Sequence, residues 1–192
     1  MIVKPPSADS LAASAKAAGT KGPPPVDKWN PPFCGDLDIR IARDGTWYYL
    51  GTPIGRAPLV KLFSSILKRE GDAYFLVTPV EKVGIKVDDA PLLATDFEAT
   101  GKGRDQTLRF FTKTEDDVTA GPDHPIRVTR DPDTGEPAPY ILIRRNLEAL
   151  IDRKSFYRLV DLGVNEQYGG QSWFGLWSGG QFFPVIPASE LP

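Results

Sequence analysis

Arginines set among aromatic residues are the chemistry this 192-residue chain offers. Arg40 stands in Ile39-Arg40-Ile41-Ala42-Arg43-Asp44, and the pattern returns 87 residues on as Ile126-Arg127-Val128-Thr129-Arg130-Asp131. Trp47, Tyr48 and Tyr49 follow the first copy, while Arg56, Arg144, Arg145 and Arg153 fall where strand-like segments give way to helix-like ones. A guanidinium fork grips a carboxylate or phosphate through two parallel hydrogen bonds and stacks on aromatic rings. Arg40, Trp47, Tyr49, Arg56, Arg144 and Arg153 therefore suit a small anionic ligand. Thr78, Glu81 and Lys82, close together in Thr78-Pro79-Val80-Glu81-Lys82, complete the candidate ligand-binding set. The same arginines have a plainer use: pairing with Glu81, Asp36, Asp38 or Glu148 to tie strands together.

Residue types for catalysis are sparse. His124 is the only histidine and stands in Pro122-Asp123-His124-Pro125, a turn setting with no assured acid–base partner. Cys34 is the only cysteine; without a neighbouring histidine it reads as a structural thiol where a strand begins. Asp88 and Asp89, with Glu81 and Asp96, could offer oxygens to a divalent cation, yet Asp-Asp-Ala-Pro is also an ordinary polar turn. Gly101-Lys102-Gly103 lacks the strand-to-helix junction of a phosphate loop and reads as a hairpin turn. No catalytic residue, metal ligand set or cofactor is expected.

Composition narrows the class. Hydrophobic residues make up 41% and charged residues 25%, as in ordinary globular proteins, and 18 glycines with 19 prolines imply many turns. A net charge of −2 argues against a nucleic-acid partner. No run approaches the roughly 18 apolar residues of a membrane-spanning helix. A lone cysteine asks for no oxidising compartment, so a cytoplasmic location is expected.

Along the chain, residues 1–28 form an arm: a helix from Ser7 to Ala18, capped by Asp9 or Ser10, then an extended proline-rich stretch. It is either a mobile arm or a strap anchored by Trp29 and Phe33. A first unit over 29–90 starts with the alternation Leu37, Ile39, Ile41, turns at Asp44-Gly45 and returns through Trp47 to Leu50. Leu59, Leu62, Phe63, Ile66 and Leu67 then mark one face of a helix that Gly71 stops. Residues 73–78 and 83–87 make its second hairpin. The second unit, 91–192, opens on an inserted hairpin, 92–99 with 106–112. Strands at 126–130 and 140–144 follow, then a helix from Leu147 capped by Asn146 and irregular near Lys154, and a closing hairpin over 173–186. The fold class expected is α+β: two tandem structural repeats, each hairpin-helix-hairpin, with mostly antiparallel sheets and few helices. The alternative is one continuous sheet carrying both helices.

Several motifs then occur together in order: Cys34-Gly35-Asp36, Asp44-Gly45-Thr46-Trp47, Thr52-Pro53-Ile54-Gly55-Arg56, Thr78-Pro79-Val80-Glu81-Lys82-Val83, Val87-Asp88-Asp89-Ala90-Pro91 and Leu147-Glu148-Ala149-Leu150-Ile151-Asp152-Arg153. Over residues 30–165 the chain resembles the bacterial family called domain of unknown function 1285. The resemblance implies a small, cytoplasmic, bacterial protein of duplicated α+β architecture, with a ligand-binding or signal-transduction role and no established reaction.

Three functions are thus in view. The first is a non-enzymatic ligand-binding or sensory module with a cleft between its two units. The second is a protein-interaction adaptor using the proline-rich arm and the tail aromatics Trp173, Phe174, Trp177, Phe182 and Phe183. The third, weakest, is a metal-assisted hydrolase on Asp88, Asp89 and Glu81.

Overall fold

The computed structural model describes residues 5–19 and 21–192, which hold three α-helices and fifteen strands. The chain divides into two compact units, residues 1–91 and 92–192.

In the first unit, helix α1 (Ala8–Ala17) is capped by Ser7 rather than by Asp9 or Ser10. The Ser7 hydroxyl accepts from the Ser10 N–H at 3.1 Å, and the Ser10 hydroxyl accepts from the Ser7 N–H at 3.1 Å, a reciprocal capping box built from two serines. Leu11 on α1 and Val26 in the 3-10 turn that follows are fully buried. Helix α1 lies against a later helix of the same unit, whereas Trp29 is half-buried and Phe33 is 57% exposed.

Strands β1 (Phe33–Ile41), β2 (Trp47–Tyr49) and β3 (Thr52–Pro53) form a meander, then come α2 (Ala57–Ser65) and a second meander of β4 (Leu67–Glu70), β5 (Ala73–Val77) and β6 (Lys82–Val87). The six strands make one sheet in the order β3-β2-β1-β6-β5-β4, in which only β1 and β6 run parallel. Leu37, Ile39 and Ile41 turn inward as their alternation implies. Helix α2 stops at Ser65, short of Gly71. Leu67 to Glu70 instead pair with β5, and Gly71, at φ +59°, makes the β4–β5 turn. Ile66, the C-cap of α2, and Leu67, the first residue of β4, continue the helical phase and are both buried, so periodicity could not mark the switch.

The second unit begins with β7 (Leu92–Thr100), β8 (Thr107–Thr112) and β9 (Asp117–Thr119), followed by β10 (Ile126–Arg130), β11 (Pro137–Arg144) and β12 (Leu147–Ile151). Their sheet has the order β10-β11-β12-β7-β8-β9, again with a single parallel pair, β7 with β12. The expected helix at Leu147 is therefore strand β12. It is central, flanked by β11 and β7, and every residue but Glu148 is buried, giving an apolar run that looks the same in a buried helix. Arg145, at φ +52°, and Asn146 form the β11–β12 turn. The helix is α3 (Arg153–Val160), capped by Asp152, whose Oδ1 accepts the Ser155 N–H at 2.8 Å. A three-stranded sheet closes the unit: β13 (Val164–Tyr168), β14 (Gln171–Ser178) and β15 (Gln181–Pro187).

The fold is α+β with two tandem repeats and mostly antiparallel sheets. Three separate sheets replace the alternative of one continuous sheet. Strand by strand, β1 to β6 match β7 to β12: three outward, three back from the far edge, and a central parallel pair. The sequence echo is out of step with this repeat. Ile39-Arg40-Ile41 ends a central strand, whereas Ile126-Arg127-Val128 opens an edge strand whose counterpart is β4. Among the described residues, no helix is long and apolar enough to cross a membrane.

Candidate functional site

Both echoed arginines enter the same device. Arg40 forms an ion pair with Asp88 and lies 4.6 Å from the ring centre of Tyr48, its partner across β1 and β2. Arg127 holds Glu148 through two bonds of 2.9 and 2.7 Å and lies 4.4 Å from Tyr140, its partner across β10 and β11. An arginine clamped between a tyrosine face and a carboxylate staples neighbouring strands.

Most of the other candidates also have partners within the fold. Trp47 is 2% exposed and stacks on Phe63 of α2, with ring centres 6.4 Å apart. The Tyr49 hydroxyl accepts the Ala8 N–H of α1 at 3.4 Å. Thr78 is fully buried; its hydroxyl accepts the N–H groups of Val80 and Glu81 at 3.3 and 3.2 Å and so closes the β5–β6 turn. Lys82 reaches Glu70 at 2.8 Å above the Phe75 ring. Arg144 pairs with Asp116, whose second oxygen accepts the hydroxyls of Thr112 and Thr114 at 3.0 and 2.9 Å. Arg153 lies 3.6 Å from Glu136, both well exposed.

Two candidates are left over. Arg56 caps α2 without a side-chain bond and is exposed, with no carboxylate beside it among the described residues. Glu81 is half-buried, and its Oε1 is buried with no hydrogen-bond partner among the described residues. Among the described residues, Ser155 Oγ, at the start of α3, is the other buried oxygen in that condition, and no motif in the sequence pointed to it.

Of the four carboxylates that could serve a cation, three are engaged and Glu81 is not gathered with them. Asp88 takes Arg40, Asp89 takes Arg43 at 3.1 Å, and Asp96 takes Arg158. Among the described residues no three His, Cys, Asp or Glu side chains gather as a metal site requires. His124 is half-buried, its Nδ1 donating to the Leu142 carbonyl at 2.9 Å; the Cys34 thiol donates to the Pro32 carbonyl at 3.3 Å. In the tail, Phe182 and Phe183 are buried, and Trp173, Phe174 and Trp177 are half-buried.

Two ion pairs make stability depend on pH. The Arg158 hydrogen bond, helped by the Phe97 N–H, holds the Asp96 carboxyl below its ordinary value, and the Lys82 hydrogen bond does the same for Glu70. A carboxyl depressed in the folded state contributes stability above its unfolded pKa, and that contribution fades as pH falls through the folded pKa. Asp96→Asn and Glu70→Gln should each lower the urea midpoint slightly at neutral pH. The difference should close in acid and shrink in salt, since both groups face solvent. A deficit that persists below the carboxylate range would assign the loss to packing.

The molecule is thus a two-unit α+β protein whose central sheets repeat one six-stranded topology. The chain belongs to the DUF1285 family. Residues 24–90 match the N-terminal domain of this domain of unknown function and residues 91–185 its C-terminal domain. The crystal structure of a DUF1285 family protein from Silicibacter pomeroyi DSS-3 is 63% identical, with a TM-score of 0.85 over 94% of this chain and 96% of that one. A second, from Shewanella baltica OS155, is 34% identical, with a TM-score of 0.51 over 65% of this chain and 91% of that one. No curated protein matches the chain.

Proposed function

We propose that this protein is a non-enzymatic, small-ligand-binding sensory module acting in the cytoplasm, and that its first unit carries the recognition. The observation behind this reading is Glu81 Oε1, buried without a hydrogen-bond partner among the described residues. A buried carboxylate oxygen left unpaired is costly unless something compensates for it. A donor on a ligand would supply that compensation. Arg56, exposed and without a side-chain cap bond to α2, is a cation whose fork fits an anionic group. The ligand class at Glu81 is thus a small metabolite bearing a hydrogen-bond donor, and Arg56, which follows β3 toward the opposite end of β1, serves an anionic group as a separate contact.

A thermal-shift panel of anionic metabolites and nucleotides tests this. A ligand at about 100 times its dissociation constant stabilises by about 2.7 kcal/mol. In a chain of this size that moves the midpoint by roughly 5–10 °C. Glu81→Ala should abolish the shift of a ligand held at its orphaned oxygen, and Arg56→Ala that of an anionic ligand held at the start of α2. Glu81→Ala should leave the unliganded protein as stable as before or more so, since it removes an orphaned oxygen. A panel without a shift, together with a Glu81→Ala protein that unfolds early, would assign Glu81 to the fold and reject the reading.

A further inference from the structure

Sheet edges are where a fold must guard against unwanted pairing, and five of the six edges here are well guarded. Strand β3 is two residues long and includes Pro53; β9 is three residues long and carries Asp117. Strand β4 presents Lys68, Arg69 and Glu70. Strands β10 and β15 lie against each other, and β15 carries Pro184 and Pro187. Short strands, prolines, charges and covering elements are the means by which proteins block edge pairing.

Strand β13 has the weakest guard, a single inward-held charge. Its five residues, Val164 to Tyr168, pair with β14 alone, contain no proline or basic residue, and are exposed except for half-buried Glu166. The one charge is turned back onto its own sheet: Glu166 accepts the Trp177 indole N–H at 3.1 Å and pairs with Arg104 at 3.3 Å.

We propose that β13 is a self-association edge, pairing antiparallel with β13 of a second copy about a two-fold axis through Glu166, so that two three-stranded sheets join into one of six. The residues favour this occupant. In a two-fold antiparallel pair centred on Glu166, Val164 faces Tyr168 and Asn165 faces Gln167, twice each. A β-branched residue opposite an aromatic one, and two amides opposite each other, are stabilising cross-strand pairs. The only like-charge contact is Glu166 with itself, and each copy already holds that carboxylate with an arginine and an indole N–H. The interface is isologous and closes at two subunits.

A single edge contact falls among the small interfaces, under about 1,200 Å², so assembly is expected between about 1 µM and 1 mM. Sedimentation velocity across that range should show a concentration-dependent dimer. Asn165→Lys with Gln167→Lys places lysines opposite lysines and should leave a monomer with unchanged circular dichroism and melting midpoint. For register, Asn165→Cys and Gln167→Cys proteins, each with Cys34→Ser, should form an intermolecular disulfide when mixed and far less when alone. A wild-type chain that stays monomeric throughout, a dimer indifferent to the lysine pair, or crosslinks equal in mixed and unmixed samples would overturn the proposal.

Discussion

Trp47→Ala is expected to cost about 3–5 kcal/mol of stability, the range for removing a large aromatic from a packed core. From sequence, this ring beside Arg40 is an attractive ligand platform; in the fold it is 2% exposed and stacked on Phe63, which is itself fully buried. Strand β2 presents the indole to the inner face opposite Ile41, where it joins the sheet to α2. Its removal leaves a cavity that the short strand and the nine-residue helix cannot both close over. Urea denaturation should show the loss as a lower midpoint at an unchanged m value. Trp47→Phe should retain most of the stability, since the stacked ring remains. Arg40→Ala is the control: its ion pair with Asp88 is 41% exposed on both sides and should contribute no more than about 1 kcal/mol. If Trp47→Ala unfolds at the wild-type midpoint, the ring is free for a ligand and its place in the core is wrong.

The contrast between Trp47 and Arg40 shows where sequence reading holds and where it stops. Hairpins were legible because their signals are local: Asp44-Gly45 turns β1 into β2, and Ser178-Gly179-Gly180 turns β14 into β15. The switch from α2 to β4 and the identity of β12 were not, because a buried central strand and a buried helix face present similar apolar runs. Strand β13 escaped notice for the opposite reason, since Val-Asn-Glu-Gln-Tyr is polar and exposed and has no alternation to read.

Legibility of the candidate site was poorer still. Arg40 meets Asp88 48 positions away, and Arg144 meets Asp116 28 positions away, each across strands whose neighbourhood only the sheet order decides. Sequence supplied the right residue types for a site, and topology spent most of them on the fold. The echo around Arg40 and Arg127 marks a recurring way to staple strands, a carboxylate and a tyrosine face around one guanidinium, on strands that the repeat does not relate. Among the described residues the fold leaves over Arg56 and one oxygen of Glu81, at opposite ends of the first sheet, a smaller set than the sequence suggested.

Ser178→Ala should be nearly as damaging as the loss of Trp47, although it removes a single oxygen. Ser178 is fully buried at the β14–β15 turn, where its hydroxyl donates to the Ala120 carbonyl at 2.7 Å and accepts the Leu108 N–H at 2.8 Å. The closing sheet thereby engages the end of the β8–β9 ladder through one side chain. Gln106 adds its side-chain amide to the Trp177 carbonyl at 2.9 Å, and its own carbonyl takes the Gly179 N–H at 3.2 Å. Water cannot replace the lost oxygen in a site this closed, and each buried backbone group left unsatisfied costs about 1–3 kcal/mol. The expected loss is therefore about 3–5 kcal/mol once the two groups are taken together and some relaxation is allowed. Backbone relaxation is limited, because Gly179 sits at φ +59° so close to Ala120 that an added Cβ would lie 2.8 Å from its carbonyl oxygen. Hydrogen exchange gives the residue-level readout: the Leu108 amide should lose protection far more than the Leu76 amide of the first unit. Equal loss at both would mean global unfolding, and no loss at Leu108 would mean that another acceptor had replaced the hydroxyl. Because β13 belongs to the sheet that this clasp docks, Ser178→Ala should also weaken self-association, coupling the packing of the closing sheet to the edge it presents.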